Sequence, residues 1–225
     1  AIVTDPEATQ TQMEVEYKKD KLPKEVSLAM PGYVMNLANS LISSVLSERF
    51  EEITMQADAP FAAAMAGYSE LVKSKDAFQM VVVPKEGKEL EGLNALLLEA
   101  EKMKRFGFTN AELERAKTNM LKNFEKSYNE RDNQKSISLA REYIRHYLSN
   151  EPIPGIEFEY QTVQMILPQL KTEMINQLAK SYVSDTNVVI SVMAPEKANV
   201  KVPSESQILA AIDATQKAEL TAKAE

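Results

Sequence analysis

The segment from Phe106 to Lys117, which reads FGFTNAELERAK, constrains the fold more than any other part of the chain. Gly107 is predicted to close a helix, because glycine adopts the backbone conformations of helix C-termini without steric strain. Thr109 precedes Glu112 by three residues, which is the spacing of a capping box at the start of a helix. The segment therefore predicts two consecutive helices that meet at a defined junction.

Hydrophobic periodicity on both sides of this junction predicts a mixture of helices and strands. Helices are predicted over residues 33–55, 90–106, 109–128, 136–148, 156–166 and 172–182, with Thr172 as the N-cap of the last. Strands are predicted over residues 11–17, 61–72, 77–83 and 187–194, with a tight turn over residues 74–76. The alanines at positions 62–64 would suit a helix equally well, so that alternative stays open for this segment.

Strands that flank a large helical block, with a late strand returning after it, predict an α+β fold. Its sheet is expected to be antiparallel or mixed, with the helices packed on one face. No sharp change in composition marks an internal boundary, so residues 1–203 are predicted to form a single domain. Residues 204–225 are predicted to form a C-terminal helix and linker tail, with a capping box between Ser204 and Gln207 and a solvated or frayed end.

Composition argues against several classes of partner and chemistry. The net charge of −7 disfavours a nucleic-acid partner, since phosphate binding requires a surplus of lysine and arginine. The longest apolar runs fall well short of the ~20 residues that span a bilayer. Without cysteine, the chain supports neither a disulfide framework nor thiolate chemistry.

His146 is the only histidine in the chain, which weighs against a zinc or a triad active site. It is predicted to be a polar residue near a helix C-terminus, where a positive charge suits the helix dipole. Glu48, Glu51 and Glu52 lie close together, and paired carboxylates can perform acid–base catalysis. Neighbouring basic residues favour a solvated face with weak ion pairs instead. No catalytic, cofactor-binding or metal-binding residue is therefore assigned.

Several segments occur in a familiar order along the chain. They are SERFEEITMQADAPF, FGFTNAELERAK, the loop EPIPGIEFE, LPQLKTEMINQLAKSYV and NVVISVMAPEK. Together they resemble the M16 family of metallopeptidases (insulinase, pitrilysin and mitochondrial processing peptidase), and within it the bacterial zinc-protease branch. The resemblance extends from Pro31 to Lys197.

This resemblance implies one part of a larger protease. Members of the family pair homologous α+β domains into two halves that enclose a peptide chamber, and the first domain carries the zinc motif His-x-x-Glu-His. The present sequence lacks that motif. It therefore resembles the non-catalytic second domain of the N-terminal half. The implied partners are sister M16 domains and the peptide substrate of the parent enzyme, with zinc in the parent's catalytic domain. Export of the bacterial branch would place the protein in the cell envelope or periplasm.

Some domains in the second half of such enzymes supply an arginine and, seven positions later, a tyrosine that reach the substrate. An alignment on Glu52 and Ile53 places Thr54 and Phe61 at these two positions. The alternative alignment uses Arg49 and Gln56. Neither pair supplies both the guanidinium and the phenol hydroxyl that would stabilise a developing oxyanion.

Two functional hypotheses follow from the resemblance. The first is a non-catalytic domain of a bacterial M16-type zinc metalloendopeptidase, which buttresses the catalytic domain, walls the peptide chamber and is inactive alone. The second is a scaffold or binding module of a catalytically inactive M16 homologue. A free-standing enzyme that uses Glu48, Glu51 and Glu52 is a third, weaker alternative.

Overall fold

The structure is a computed structural model that describes residues 1–149, 151–197 and 200–224. Five strands within these residues form one mixed sheet in the order β1-β5-β2-β4-β3. The strands are β1 (Ile2–Asp5), β2 (Gln12–Asp20), β3 (Phe61–Val72), β4 (Lys75–Pro84) and β5 (Val188–Pro195). Strand β1 runs parallel to β5, and the other neighbours are antiparallel.

Helices account for most of the remaining chain. They are α1 (Lys24–Ser27), α2 (Met30–Thr54), α3 (Glu89–Phe106), α4 (Asn110–Asn129), α5 (Ser136–Ser149), α6 (Ile156–Ile166), α7 (Thr172–Lys180) and α8 (Glu205–Lys217). Helices α2 and α3 pack against β3 and β4. These features confirm the predicted α+β fold with a mixed sheet and a block of helices.

Alternation along β2 determines which face of the sheet meets the helices. Met13, Val15 and Tyr17 are buried in the core, together with Phe78 and Met80 of β4. The residues between them point to the opposite face. A strand with this period of two packs one face against the core and leaves the other face available for contacts outside the core.

The junction between α3 and α4 is formed as the sequence predicts. Gly107 has φ 76° and ψ −153°, a region of backbone space that favours glycine. The Thr109 hydroxyl accepts from the Glu112 amide at 3.1 Å, and the Glu112 carboxylate accepts from the Thr109 amide at 2.8 Å. The second predicted capping box, between Ser204 and Gln207, is also present.

Several predicted boundaries differ from the structure. Helix α2 begins at Met30 rather than at residue 33, because Pro31 fits the first turn of a helix, where its missing N–H costs nothing. Thr172 is not an N-cap: Lys171 holds that position, and the Thr172 hydroxyl donates to Asn110 Oδ1 at 2.9 Å. Lys75 and Asp76, predicted in a turn, pair with β3 instead. Strand β1 was not predicted.

Helix α5 carries an apolar stripe that the structure leaves uncovered. Ile137, Ala140, Ile144 and Leu148 recur at helical spacing, which predicts a stripe that faces the core, yet all four are exposed. Ile144 and Leu148 are 55% and 62% exposed. The prediction was wrong because periodicity identifies an apolar stripe but does not say what covers it.

The C-terminal segment is held against the domain by specific contacts. Ile208 and Ala211 of α8 lie in the core, and α8 packs on α3. Beyond the helix, the Arg105 guanidinium donates to the Ala218 carbonyl at 2.7 Å, and Lys223 pairs with Glu52 at 2.5 Å. The end predicted to be solvated or frayed is exposed over residues 221–224, and the contact of Lys223 with Glu52 holds it against α2. The division into a domain of residues 1–203 and a tail of residues 204–225 stays a prediction.

Candidate functional site: the open face of the sheet

One face of the sheet carries the helices, and the central side chains of the other face stay partly accessible to solvent. We call this surface the open face. It consists of the side chains of Glu14, Glu16, Met65, Gln79, Val81, Val189 and Ser191. Strand register brings them together: Glu14 is paired with Val81 and Ser191, and Glu16 with Gln79 and Val189.

A short chain of hydrogen bonds runs across the open face. The Ser69 hydroxyl donates to Gln79 Oε1 at 2.8 Å, and Gln79 Nε2 donates to Glu16 Oε1 at 3.0 Å. Burial, and then the charge of Glu16, raise the pKa of the Glu14 carboxyl above its usual range. The open face thus combines two carboxylates, one of them partly desolvated, with amide, hydroxyl and apolar groups.

The side chains of the open face have the chemistry to bind a polypeptide. Over residues 1–149, 151–197 and 200–224, no group of three or more histidine, cysteine, aspartate or glutamate side chains could hold a metal ion. Carboxylates and amides can pair with the cations and backbone groups of an extended polypeptide, and Met65 and Val81 can contact its apolar side chains.

Two of the three glutamates near the end of α2, Glu48 and Glu52, form ion pairs in the structure. The Glu48 carboxylate accepts from Arg115 of α4 at 2.9 Å, and Glu52 pairs with Lys223 of the tail. Glu51 is exposed. The weak ion pairs expected from the sequence are present, but their partners come from distant segments rather than from neighbouring residues.

Arg49 is a buried structural residue. Its guanidinium is 4% exposed and forms a bidentate pair with the Glu112 carboxylate, with Nε–Oε1 and Nη2–Oε2 distances of 2.7 and 2.8 Å. The same Nη2 donates to the Gly107 carbonyl at 3.1 Å. Arg49 therefore ties α2 to the α3–α4 junction and does not present its guanidinium to a substrate.

The structure also places the remaining positions of the two alignments. Phe61 is fully buried and meets Phe50 edge-to-face, with 6.5 Å between ring centroids. The Thr54 hydroxyl donates to the Glu51 carbonyl at 2.7 Å within its own helix. Gln56 is exposed but carries an amide where the family's assisting domains have a phenol.

His146 lies on the exposed helix α5. Its Nδ1 donates to the Glu151 carbonyl at 2.7 Å, which ties the loop of residues 151–155 to the helix. Arg145 reinforces the same loop through an ion pair with the Glu151 carboxylate at 2.9 Å. Both contacts are consistent with a local structural role for His146.

The Glu112 carboxyl makes the stability of the fold depend on pH. Burial alone would raise its pKa, but the hydrogen bonds from Arg49 and the Thr109 amide and the charges of Arg49 and Lys223 outweigh burial and lower the pKa to about 2. A carboxyl with a lowered native pKa stabilises the fold above its unfolded pKa, and that stability is lost as the pH falls.

We therefore expect the stability advantage of the parent protein over the Glu112→Gln variant to be complete above pH 4.5 and to shrink progressively towards about pH 2. Urea unfolding of both proteins at a series of pH values measures this difference. A difference that stays constant across this interval would contradict the lowered pKa of Glu112.

Sequence reasoning did not select Glu14 and Glu16 as candidate residues. The available signal was their alternation with Met13, Val15 and Tyr17, which places both carboxylates on the non-core face of one strand. Their pairing with Gln79 and Val81 depends on the register between β2 and β4, which a single sequence does not supply.

Comparisons with known proteins agree with this architecture. No protein-family model matches the chain. A zinc protease PQQL-like protein of Arabidopsis thaliana is 26% identical over 178 residues, which cover 79% of this chain and 16% of that protein. The periplasmic protease PqqL of Escherichia coli matches all of this chain with a TM-score of 0.86 and 16% identity, over 25% of its own length.

Two further solved structures are similar to this chain in fold. The first half of E. coli PqqL matches with a TM-score of 0.84 and 16% identity, covering all of this chain and 48% of that one. A peptidase M16 inactive domain of Pseudomonas fluorescens matches with a TM-score of 0.59 and 15% identity, and the match covers 90% of this chain and 44% of that one.

By architecture, the chain is an α+β domain of the kind found in large proteases. More narrowly, its fold and sequence are similar to those of M16-type protease domains of bacteria, which confirms the resemblance seen in the sequence. It spans 16% of its curated relative and 25% of E. coli PqqL, so it corresponds to a part of those proteins. Among the described residues, no helix has the length and apolar character needed to cross a membrane.

Proposed function

We propose that this chain is the non-catalytic second domain of the N-terminal half of an M16-type zinc metalloendopeptidase, where it buttresses the catalytic domain and walls the peptide chamber. The observation that carries the proposal is the match to the first half of E. coli PqqL, of which the chain covers 48%. A chain that spans about half of that structure and has no His-x-x-Glu-His motif suits the non-catalytic position.

The open face supports the role of chamber wall. A sheet face without helices over its centre is free to line a cavity, and its mixed chemistry suits substrates of varied sequence. Glu14 and Glu16 offer negative charge, Gln79 offers an amide, and Met65 is 58% exposed. In this proposal zinc is a cofactor of the parent's catalytic domain, as the name of the Arabidopsis relative suggests. The peptide substrate contacts this chain along the chamber wall and is cleaved in the catalytic domain.

A hydrolysis assay tests the proposal directly. The isolated chain, supplied with zinc and an unfolded peptide, is expected to give no chelator-sensitive cleavage. Joined to an upstream domain that carries His-x-x-Glu-His, it is expected to support cleavage above that of the upstream domain alone, because the chamber is then closed on one more side. Chelator-sensitive cleavage by the isolated chain, or an upstream domain equally active and stable without it, would refute the proposal.

The second candidate is a scaffold or binding module of an inactive M16 homologue. The similarity to the inactive M16 domain of P. fluorescens favours it. The reading frame on the N-terminal side of Ala1 separates the two candidates. A preceding homologous domain with the zinc motif supports the protease, and a preceding domain without it supports the scaffold. Sister M16 domains are partners in both proposals.

A further inference from the structure

A groove opens among the helices, away from the open face of the sheet. Its first part has a volume of about 670 Å³ and lies between α2, α4 and the loop before α6. Its second part, of about 580 Å³, lies between α4, α5 and α6. Asn123, Phe124 and Glu159 line both parts, so the two are adjacent, and together they are here called the helical groove. All of its lining residues come from helices and loops, which separates it from the open face.

Apolar side chains form much of the surface of the helical groove. They include Tyr33 and Leu37 of α2, Met120 and Phe124 of α4, and Phe158 of α6. Leu37 is 4% exposed, whereas Phe158 is 49% exposed. Apolar surface left open to solvent in a groove favours an occupant that buries it.

Side-chain amides line the same groove. Asn36 projects from α2, and Asn119 and Asn123 from α4. Each amide carries both donors and an acceptor, the combination that pairs with the alternating N–H and C=O groups of an extended backbone. A row of amides over an apolar surface suits a polypeptide segment better than a purely apolar ligand.

The middle of the groove carries an uncompensated carboxylate. Burial, followed by the charges of Glu142 and Glu151, raises the pKa of Glu159 above its usual range, and Arg145 counters this only in part. Arg145 is already paired with Glu151 at 2.9 Å. Within the described parts of the chain, no lysine or arginine nitrogen lies within ion-pair distance of Glu159. The electrostatic potential at this point therefore favours a cation.

The hydroxyl of Tyr33 also lacks a partner in the groove. Its oxygen is buried, and no described residue forms a hydrogen bond with it. Burial and the nearby charge of Glu159 raise the pKa of Tyr33 to about 12, so this hydroxyl keeps its proton and remains a donor. Because this oxygen is buried, a carbonyl of a bound segment could accept from it only after the surrounding side chains move.

From these features we propose that the helical groove binds an extended, apolar peptide segment that carries one arginine or lysine, whose cation pairs with Glu159. The apolar walls set the preference for leucine-like side chains, the asparagines bind the backbone, and Glu159 sets the position of the basic residue. This site is separate from the proposed chamber wall and does not depend on it.

A binding assay with defined peptides tests this inference. The probe is a fluorescein-labelled, end-capped peptide of alternating leucine and alanine around one central arginine. Two control peptides replace the arginine with citrulline, which has nearly the same shape but no charge, or with glutamate. Fluorescence anisotropy is expected to show about fivefold weaker binding of the citrulline peptide and still weaker binding of the glutamate peptide.

Matched variants assign the effect to the groove. Glu159→Gln is expected to bind the arginine and citrulline peptides equally, while Glu125→Gln, an exposed carboxylate on α4 outside the groove lining, keeps the preference for arginine. Ser40→Trp places a large side chain at an exposed position of the groove. It is expected to fill the groove and to weaken the binding of all three peptides. Circular dichroism confirms that each variant is folded.

Three results would overturn the inference. The first is equal affinity for the arginine and citrulline peptides in the parent protein. The second is a preference for arginine that survives Glu159→Gln. The third is sedimentation data that show a dimer of this chain whose formation Ser40→Trp abolishes, since the groove would then hold a second copy of the chain instead of a peptide.

Discussion

Glu112→Gln is expected to lower the free energy of unfolding by about 3–5 kcal/mol at neutral pH, because the buried Arg49 guanidinium loses its bidentate partner and keeps only the Glu99 carboxylate, at 3.9 Å, as a counter-charge. Arg49 is 4% exposed and makes two hydrogen bonds to this carboxylate, at 2.7 and 2.8 Å. The substitution also weakens the capping box at the start of α4, which Glu112 completes by accepting from the Thr109 amide. Urea unfolding followed by circular dichroism measures the loss.

The exposed pair between Glu48 and Arg115 supplies the matched control. It joins the same two helices, α2 and α4, with a comparable distance of 2.9 Å, but Arg115 is 51% exposed at its side chain. Glu48→Gln should therefore cost less than about 1 kcal/mol. If the two glutamine variants lose equal stability, burial is not what makes the Arg49–Glu112 pair important.

A double variant separates the loss of attraction from the cost of an isolated buried charge. Arg49→Met combined with Glu112→Leu removes both charges and keeps apolar volume, so it should recover a large part of the stability lost in Glu112→Gln. A double variant as unstable as the single one would contradict this explanation and would assign the loss to the capping box.

The capping box and the ion pair show what a single sequence can and cannot predict. Thr109 and Glu112 are three residues apart, so their interaction is a local pattern that can be read directly. Arg49 lies 63 residues from Glu112, and their contact depends on how α2 packs against the α3–α4 junction. The same carboxylate thus has a predictable local role and an unpredictable tertiary one.

A similar division applies to the sheet and its open face. Alternation in β2 predicts the strand and its buried residues, because every second side chain must meet the helices. The hairpin of β3 and β4 was also predicted, although the alanines of β3 allowed a helix. Which residues stand beside Glu14 and Glu16 depends on the order β5-β2-β4, which the sequence does not contain.

Gly107→Ala is expected to destabilise the domain by about 2–4 kcal/mol, which is the second large effect that the structure predicts. The φ of 76° and ψ of −153° at this residue are strained for any residue with a Cβ atom. An added Cβ would also lie 2.4 Å from Cγ of Asn176. The Asn176 amide accepts from the Phe108 amide at 2.7 Å and donates to the Phe108 carbonyl at 3.0 Å, so displacing it breaks the bonds that hold α7 to the junction.

Gly67→Ala is the control for the Gly107 substitution. Gly67 lies in β3 without a positive φ, and a Cβ added there meets no heavy atom within 4 Å. Alanine should therefore change stability by no more than about 0.5 kcal/mol, since the substitution fills open space on the surface of a strand. Thermal unfolding of the two variants measures the contrast. Equal stability of the two would mean that the backbone at Gly107 can relax into a conformation that alanine accepts, and that the α3–α4 junction does not depend on glycine.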